Sequence, residues 1–280
     1  MPAPATRGAR VPGPAPTPRG QRLTIVLPAY NEAARIGPAL HELFGYLRSG
    51  PGRKSPEGVP AEVDVLVVDD GSTDGTVELV LARPEVAPNA KTPTLRVLQV
   101  ARGGKGAAVK AGLLAATGDL VVFADADMAT PPDQLPKLVA ALKTADVALG
   151  SRIQPDGSDM RATQPPLRRL LGKAFHALAS IWVVGPVEDT QCGFKGFTRA
   201  AARDLAGRQR VLSIVFDVEL IHLARRRGYS LAVVPIRWTD VHGSRMKPRP
   251  ALAVRVGWDL FRIPFLHRGV RRAAASRAEG

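Results

Sequence analysis

Through the first half of the chain, short apolar runs alternate with longer stretches of helical periodicity. Leu23-Thr-Ile-Val-Leu-Pro28 is apolar, partly β-branched and closed by proline, which predicts a buried strand. Asn31 stands where it would cap a following helix that runs to about Leu47. The polar, Gly- and Pro-rich stretch from Ser49 to Pro60 predicts a surface loop. Val63 to Val68 reads as a second strand broken only by Asp64, and Thr73 or Asp74 is placed to cap the next helix. Leu95 to Val100 predicts a third strand, followed by Arg102-Gly-Gly-Lys-Gly106 and an Ala-rich helix to Ala116. Leu120 to Ala124 and Ala145 to Leu149 predict two more strands, with a helix after Pro131-Pro132 between them. Strands that alternate with helices imply an α/β fold: a mainly parallel, doubly wound, Rossmann-like sheet flanked by helices.

After Arg152 the alternation loosens. Pro165 to Val184 reads as one long helix, and Asp189 to Phe197 as a Gly-punctuated, bent strand. Phe216 opens a helix that ends at Arg225-Arg-Arg-Gly228, and Leu231 to Trp238 predicts a last strand. A basic loop, Gly243 to Pro248, leads to a terminal helix. Within Ala251 to Leu266, the side chains Val254, Trp258, Phe261 and Phe265 are interleaved with Arg255 and Arg262. Either an interfacial helix or a helix packed on the domain carries such a pattern. The expected organisation is a disordered Pro/Ala/Arg-rich tail (1–21), one domain (22–266) and a flexible basic tail (267–280). The domain divides into a half of regular alternation (22–152) and a looser half (153–266).

Charge sharpens that division. The net charge is +14, and residues 199–280 hold 17 Lys/Arg against 6 Asp/Glu. A basic C-terminal third calls for a polyanionic partner such as phosphate groups or an anionic membrane. Aromatic residues make up only 5% and form no spaced stacking platforms, which argues against nucleic acid. The one cysteine, Cys192, excludes an internal disulfide and a Cys-based zinc site, and fits a reducing cytosol. No apolar run reaches membrane-span length, and the N-terminal text lacks the apolar core of a signal peptide.

The strongest chemical signal is Asp125-Ala-Asp127, at the end of the fourth strand. Residues two apart on extended chain point the same way, so both carboxylates face one place at the sheet's C-terminal edge, where open α/β sheets bind ligands. A solvated turn would carry the same residues. Two like charges so close favour an intervening cation, and hard oxygen donors suit Mg²⁺ or Mn²⁺. Gly103-Gly-Lys-Gly106 lacks the spacing of a P-loop, no Gly-x-Gly-x-x-Gly follows the first strand, and the five histidines are scattered. What remains is a nucleotide held by strand-end carboxylates, a metal and nearby cations, suited to departure of a diphosphate.

Pro28-Ala-Tyr-Asn-Glu32, Val67-Val-Asp-Asp-Gly-Ser-Thr-Asp74, Gly104-Lys-Gly106 and Asp125-Ala-Asp127 together resemble the family 2 glycosyltransferases of GT-A fold. Asp125-Ala-Asp-Met-Ala-Thr130, Asp189-Thr-Gln-Cys-Gly-Phe-Lys195, Phe216-Asp-Val-Glu219 and Trp238-Thr-Asp-Val-His-Gly-Ser244 are similar to the dolichyl-phosphate β-glucosyltransferase branch. The resemblance covers about Leu23 to Phe265 and implies that 22–152 is the nucleotide half and 153–266 the acceptor half. It implies that Pro28, Tyr30, Glu32, Val68 and Asp70 hold the base and ribose of the donor. Asp125, Ala126 and Asp127 would meet the diphosphate, with Asp125 and Asp127 as metal ligands, and Lys105 and Arg152 would approach its phosphates. Asp189 matches an acidic residue on the acceptor side, acting as base or orienting group. Arg245, with Arg168 as a further candidate, would meet the acceptor phosphate. The expected reaction is inverting transfer of glucose from UDP-glucose to a polyprenyl or dolichyl phosphate, at the cytoplasmic face of a membrane.

Three departures stand out. Mannose synthases carry an arginine where this chain has Thr239, with Arg237 as a substitute if register allows. Ala129 stands where those enzymes add a polar side chain near the metal, and the membrane spans of many relatives are missing. Two rival activities follow: a family 2 transferase acting on a glycan hydroxyl, and a GDP-mannose-dependent synthase.

Overall fold

Alternation along one strand builds both layers of the core. In β1 (Arg22–Ala29), Leu23, Ile25 and Leu27 face one side, against Ile36, Leu40 and Leu43 of α1 (Ala33–Leu47). Val26 faces the other side, against Val109 and Leu113 of α3 (Lys105–Ala115). A strand covered on both faces reads as a continuous apolar run, which is the pattern of a parallel sheet. Gly112 makes the second layer possible: a Cβ there would stand 2.3 Å from the Val26 Cγ1.

The computed structural model describes residues 21–53, 55–163, 166–239 and 250–272. The other strands are β2 (Glu62–Asp69), β3 (Thr94–Gln99), β4 (Leu120–Ala124), β5 (Val147–Ser151), β6 (Phe194–Thr198) and β7 (Leu231–Pro235). The other helices are α2 (Thr76–Leu81), α4 (Leu135–Ala141), α5 (Pro166–Ala179), α6 (Arg199–Arg208), α7 (Phe216–Arg227) and α8 (Pro250–Leu266). One seven-stranded sheet orders them β3-β2-β1-β4-β6-β5-β7, and only β6 runs antiparallel to its neighbours. The mainly parallel α/β sheet expected from the sequence is the one observed.

Several details differ from expectation. The strand expected at Ala145 begins at Val147, because Asp146 is tied to Ser230: its amide bonds the Ser230 hydroxyl and its carboxylate accepts the Ser230 amide. The helix expected from Pro165 to Val184 is α5 followed by a wider π turn at Ser180–Val184. The bent strand expected from Asp189 reduces to Phe194–Thr198. Helix α6 was not foreseen; Thr198 caps it, its hydroxyl accepting the Ala201 amide at 3.3 Å. The Pro/Ala/Arg-rich tail, the Gly243–Pro248 loop with Arg245, and the last eight residues lie outside the described residues, as does the Arg168 side chain at the start of α5.

Candidate active site

The loops that leave the C-terminal ends of β1 to β4 are laced into one another. Asn31 does not cap α1: its backbone is left-handed (φ 53°), and its side-chain carbonyl accepts the Thr73 amide at 2.8 Å. The cap comes instead from the loop after β2. Ser72 Oγ accepts the Asn31 amide, Thr76 Oγ1 the Glu32 amide and Asp74 Oδ2 the Ala33 amide, at 2.8, 2.8 and 3.1 Å. These bonds satisfy donors that a helix start leaves free, and they fix the first two loops as one body. Asp74 also accepts the Thr76 amide at the start of α2.

Asp70 carries the lacing on to the third loop. Its carboxylate is buried and accepts the Gly103 amide at 2.7 Å, the Gly104 amide at 2.9 Å and the Arg102 guanidinium. Arg102 in turn lies over the Tyr30 ring, 3.2 Å from its centroid. Glu32 pairs with Arg35 through two bonds of 2.7 and 2.8 Å. Pro28 and Val68 are register partners on β1 and β2, just inside the edge. The five residues expected around the donor base and ribose therefore lie together, with Arg102 added to them.

Asp70 thus places the Gly103–Gly104 turn from which α3 starts, and Lys105 is the first residue of that helix. The Lys105 ammonium meets Asp125 Oδ1 at 2.6 Å, with both side chains partly exposed. Burial works against the Lys105 charge, but Asp125 and then Asp217 outweigh it and hold the ammonium above its ordinary pKa. Asp127 turns its carboxylate back onto the Ala129 amide at 3.1 Å. Burial and the neighbouring Asp125 charge raise the Asp127 pKa above the usual carboxylate range. Among the described residues no group of three acids, histidines or cysteines clusters around a common point. Two hard carboxylates fit Mg²⁺ or Mn²⁺ bound together with a diphosphate and water, rather than a site closed by protein alone.

The wall behind Asp125 was not read from the sequence. Gly193 accepts the Asp125 amide at 3.1 Å, and a Cβ on Gly193 would stand 2.1 Å from Asp125 Oδ2. Two residues on, Lys195 is wholly buried in β6; its ammonium bonds the Cys192 carbonyl and Asp217 Oδ1, the latter at 2.7 Å. A buried lysine with a carboxylate partner is legible only once β6 and α7 are known to touch. Cys192 is fully buried, and burial pushes its thiol up to about 12.

On the far side of Asp125, Arg152 and Asp189 form a buried fork. Arg152 Nε and Nη2 reach the two Asp189 oxygens at 2.7 and 2.8 Å, and the Arg152 amide adds a bond of 3.0 Å. Arg161 stands 3.8 Å from the same carboxylate, and the Arg152 guanidinium lies over Trp238. Burial alone would raise the Asp189 pKa; Arg152 outweighs it and keeps the carboxyl below its ordinary value. Arg152, expected at the donor phosphates, is spent on Asp189. Arg237, the candidate substitute for the arginine missing at Thr239, pairs with Asp133 in an exposed ion pair. The Thr239 amide instead bonds the Ala129 carbonyl at 2.9 Å, which ties the end of the β7 segment to the Asp125–Asp127 loop.

Residues 24–206 match glycosyl transferase family 2. Over 231 residues the chain is 41% identical to a dolichyl-phosphate beta-glucosyltransferase of Trichomonas vaginalis, covering 80% of this chain and 66% of that protein. Against the Drosophila melanogaster enzyme of the same name it is 37% identical, covering 86% and 74%. Glucosyl-3-phosphoglycerate synthase from Mycobacterium tuberculosis, solved with Mn²⁺, UDP and glucosyl-3-phosphoglycerate, shares the fold. Its TM-score is 0.56 at 23% identity, over 91% of this chain and 82% of that one. A sheet edge built from these laced loops is thus the GT-A arrangement, and the chain is a glycosyltransferase that belongs to glycosyl transferase family 2.

Proposed function

We propose that this glycosyltransferase moves glucose from UDP-glucose to a polyprenyl or dolichyl phosphate and inverts the anomeric centre. The observation that carries the reading is the pairing of Lys105 with Asp125 beside Asp127, at the edge where four strand-end loops meet. The activity named for the relatives of similar sequence supports it. Pro28, Tyr30, Glu32, Val68 and Asp70 frame the nucleoside. Asp125 and Asp127, joined by the Ala126 backbone, would hold Mg²⁺ or Mn²⁺, which when bound lowers the charge of the diphosphate. Lys105 adds an ammonium at the same place.

The acceptor phosphate is already an anion. Its oxygen forms a bond to the anomeric carbon as the bond from that carbon to UDP breaks, and no proton has to move. Asp189 is therefore an orienting group: saturated by Arg152, it makes a poor base. An acceptor whose isoprenoid chain lies in a bilayer places the reaction at a membrane surface, on the cytoplasmic face. Arg245 and Arg168 are the cations assigned to the acceptor phosphate.

Incubation with radiolabelled UDP-glucose, Mn²⁺ and a short polyprenyl phosphate tests the reading. Label in a mild-acid-labile lipid is the expected result. Label only in a water-soluble glycan, or only from GDP-mannose, would overturn it in favour of a hydroxyl acceptor or a mannose donor.

A further inference from the structure

Helix α8 is apolar on two sides. Leu260 and Ile263 are buried against the domain, while Val254, Trp258, Phe261 and Phe265 recur on the opposite face and stay exposed. A surface helix ordinarily presents polar residues to water on that face. The exposed face does not end with the helix. Trp182, from the π turn after α5, stacks on Phe261 with planes 3° apart and donates its indole N–H to the Phe261 carbonyl at 3.1 Å. Next to it Ile181 is 86% exposed. Of the fourteen exposed large apolar side chains among the described residues, nine lie on α5, the π turn and α8. So high a share on α5, α8 and the π turn that contacts both marks an interaction surface rather than scattered exposure.

Charge selects the partner. Residues 166–184 and 250–272 contain eight Lys/Arg and one acid, Asp259, which is buried and paired with Arg262 at 2.7 Å. Arg268 covers the Phe265 ring at 4.4 Å. A second copy of this face would bring like charges together, whereas an anionic headgroup layer complements them, with the tryptophans and phenylalanines at its polar boundary. No described helix is long and apolar enough to cross a bilayer. The geometry points to a preformed docking face for an anionic lipid surface, built by the π turn and α8 together, which lies on the bilayer. It rests on the lipid-phosphate acceptor proposed above.

Ile181→Asp and Val254→Asp, singly and together in the full chain, test this at positions that contribute nothing to the core. Flotation with phosphatidylcholine vesicles, with and without phosphatidylglycerol, reads binding without any substrate. Wild type is expected on the phosphatidylglycerol vesicles and released by salt, and the double variant is expected to bind at least about tenfold less. Turnover of a short, water-soluble polyprenyl phosphate should stay at the wild-type level in the variants. Wild-type affinity in the double variant, or no binding by wild type, would overturn the proposal. So would light scattering that shows a dimer which the substitutions dissociate. If the short acceptor is not turned over even by wild type, the activity reading fails, while flotation still decides the docking face.

Discussion

Asp70 and Asp189 stand at the two flanks of the sheet edge, and each is buried with its oxygens filled. Asp70 takes two amides and Arg102; Asp189 takes the Arg152 fork and the Arg152 amide. Between them Asp125 and Asp127 are held differently, with one ammonium on Asp125 and one local amide on Asp127. The flanking acids are consumed in placing loops. The central acids keep lone pairs for a ligand. Asp70, Asp125 and Asp127 follow apolar strands and Asp189 opens a Gly-punctuated segment, so residue type does not separate the two kinds; the number of donors already spent does.

That contrast breaks most sharply at the centre. Asp125→Asn or Asp127→Asn is expected to lower kcat/KM for UDP-glucose by about 10³-fold while the thermal midpoint hardly moves. Activity within tenfold of wild type would place the two central acids with the structural ones.

Asp189→Asn should show the opposite profile. It strands a buried guanidinium and is expected to cost about 3 kcal/mol of stability at neutral pH, read by urea unfolding. Because the folded pKa of Asp189 is depressed, its contribution is complete above the unfolded value of about 4 and is lost as pH falls through the folded value. The stability gap between wild type and variant should therefore close in acid. A gap that persists unchanged to low pH would show that Asp189 contributes no charge.

Gly193→Ala probes the boundary between the two kinds. The added methyl displaces the Asp125 carboxylate, so kcat/KM should fall by about 10²-fold, with weaker Mn²⁺-dependent UDP binding by calorimetry. Unchanged binding would mean that Asp125 relaxes freely and that its seat is not built by β6.

The sequence carried the parallel strands and the position of Asp125 and Asp127, because both depend on local patterns: continuous apolar runs, and carboxylates two apart on extended chain. It misled at Asn31, where a good capping residue is used for the neighbouring loop and the cap arrives from Asp74, forty-three residues on. It was silent on α6, whose buried positions are mostly alanines and give a weak apolar period. It gave no sign of Lys195 with Asp217 or of the role of Gly193, since each depends on β6 running antiparallel between β4 and β5. Long-range pairing decided those features, and no window of local sequence contains it.

Cys192, the only cysteine in the chain, sits on the turn that carries Gly193 and within the wall behind Asp125. A fully buried thiol with its pKa pushed up to about 12 does not react with alkylating reagents while that wall is closed. Its labelling then becomes a clock. At high reagent concentration, where labelling outruns reclosing, the rate reports how often the turn opens, without a fluorophore or a substitution. Run with and without UDP and Mn²⁺, the same clock would measure whether nucleotide and metal slow the opening of that turn.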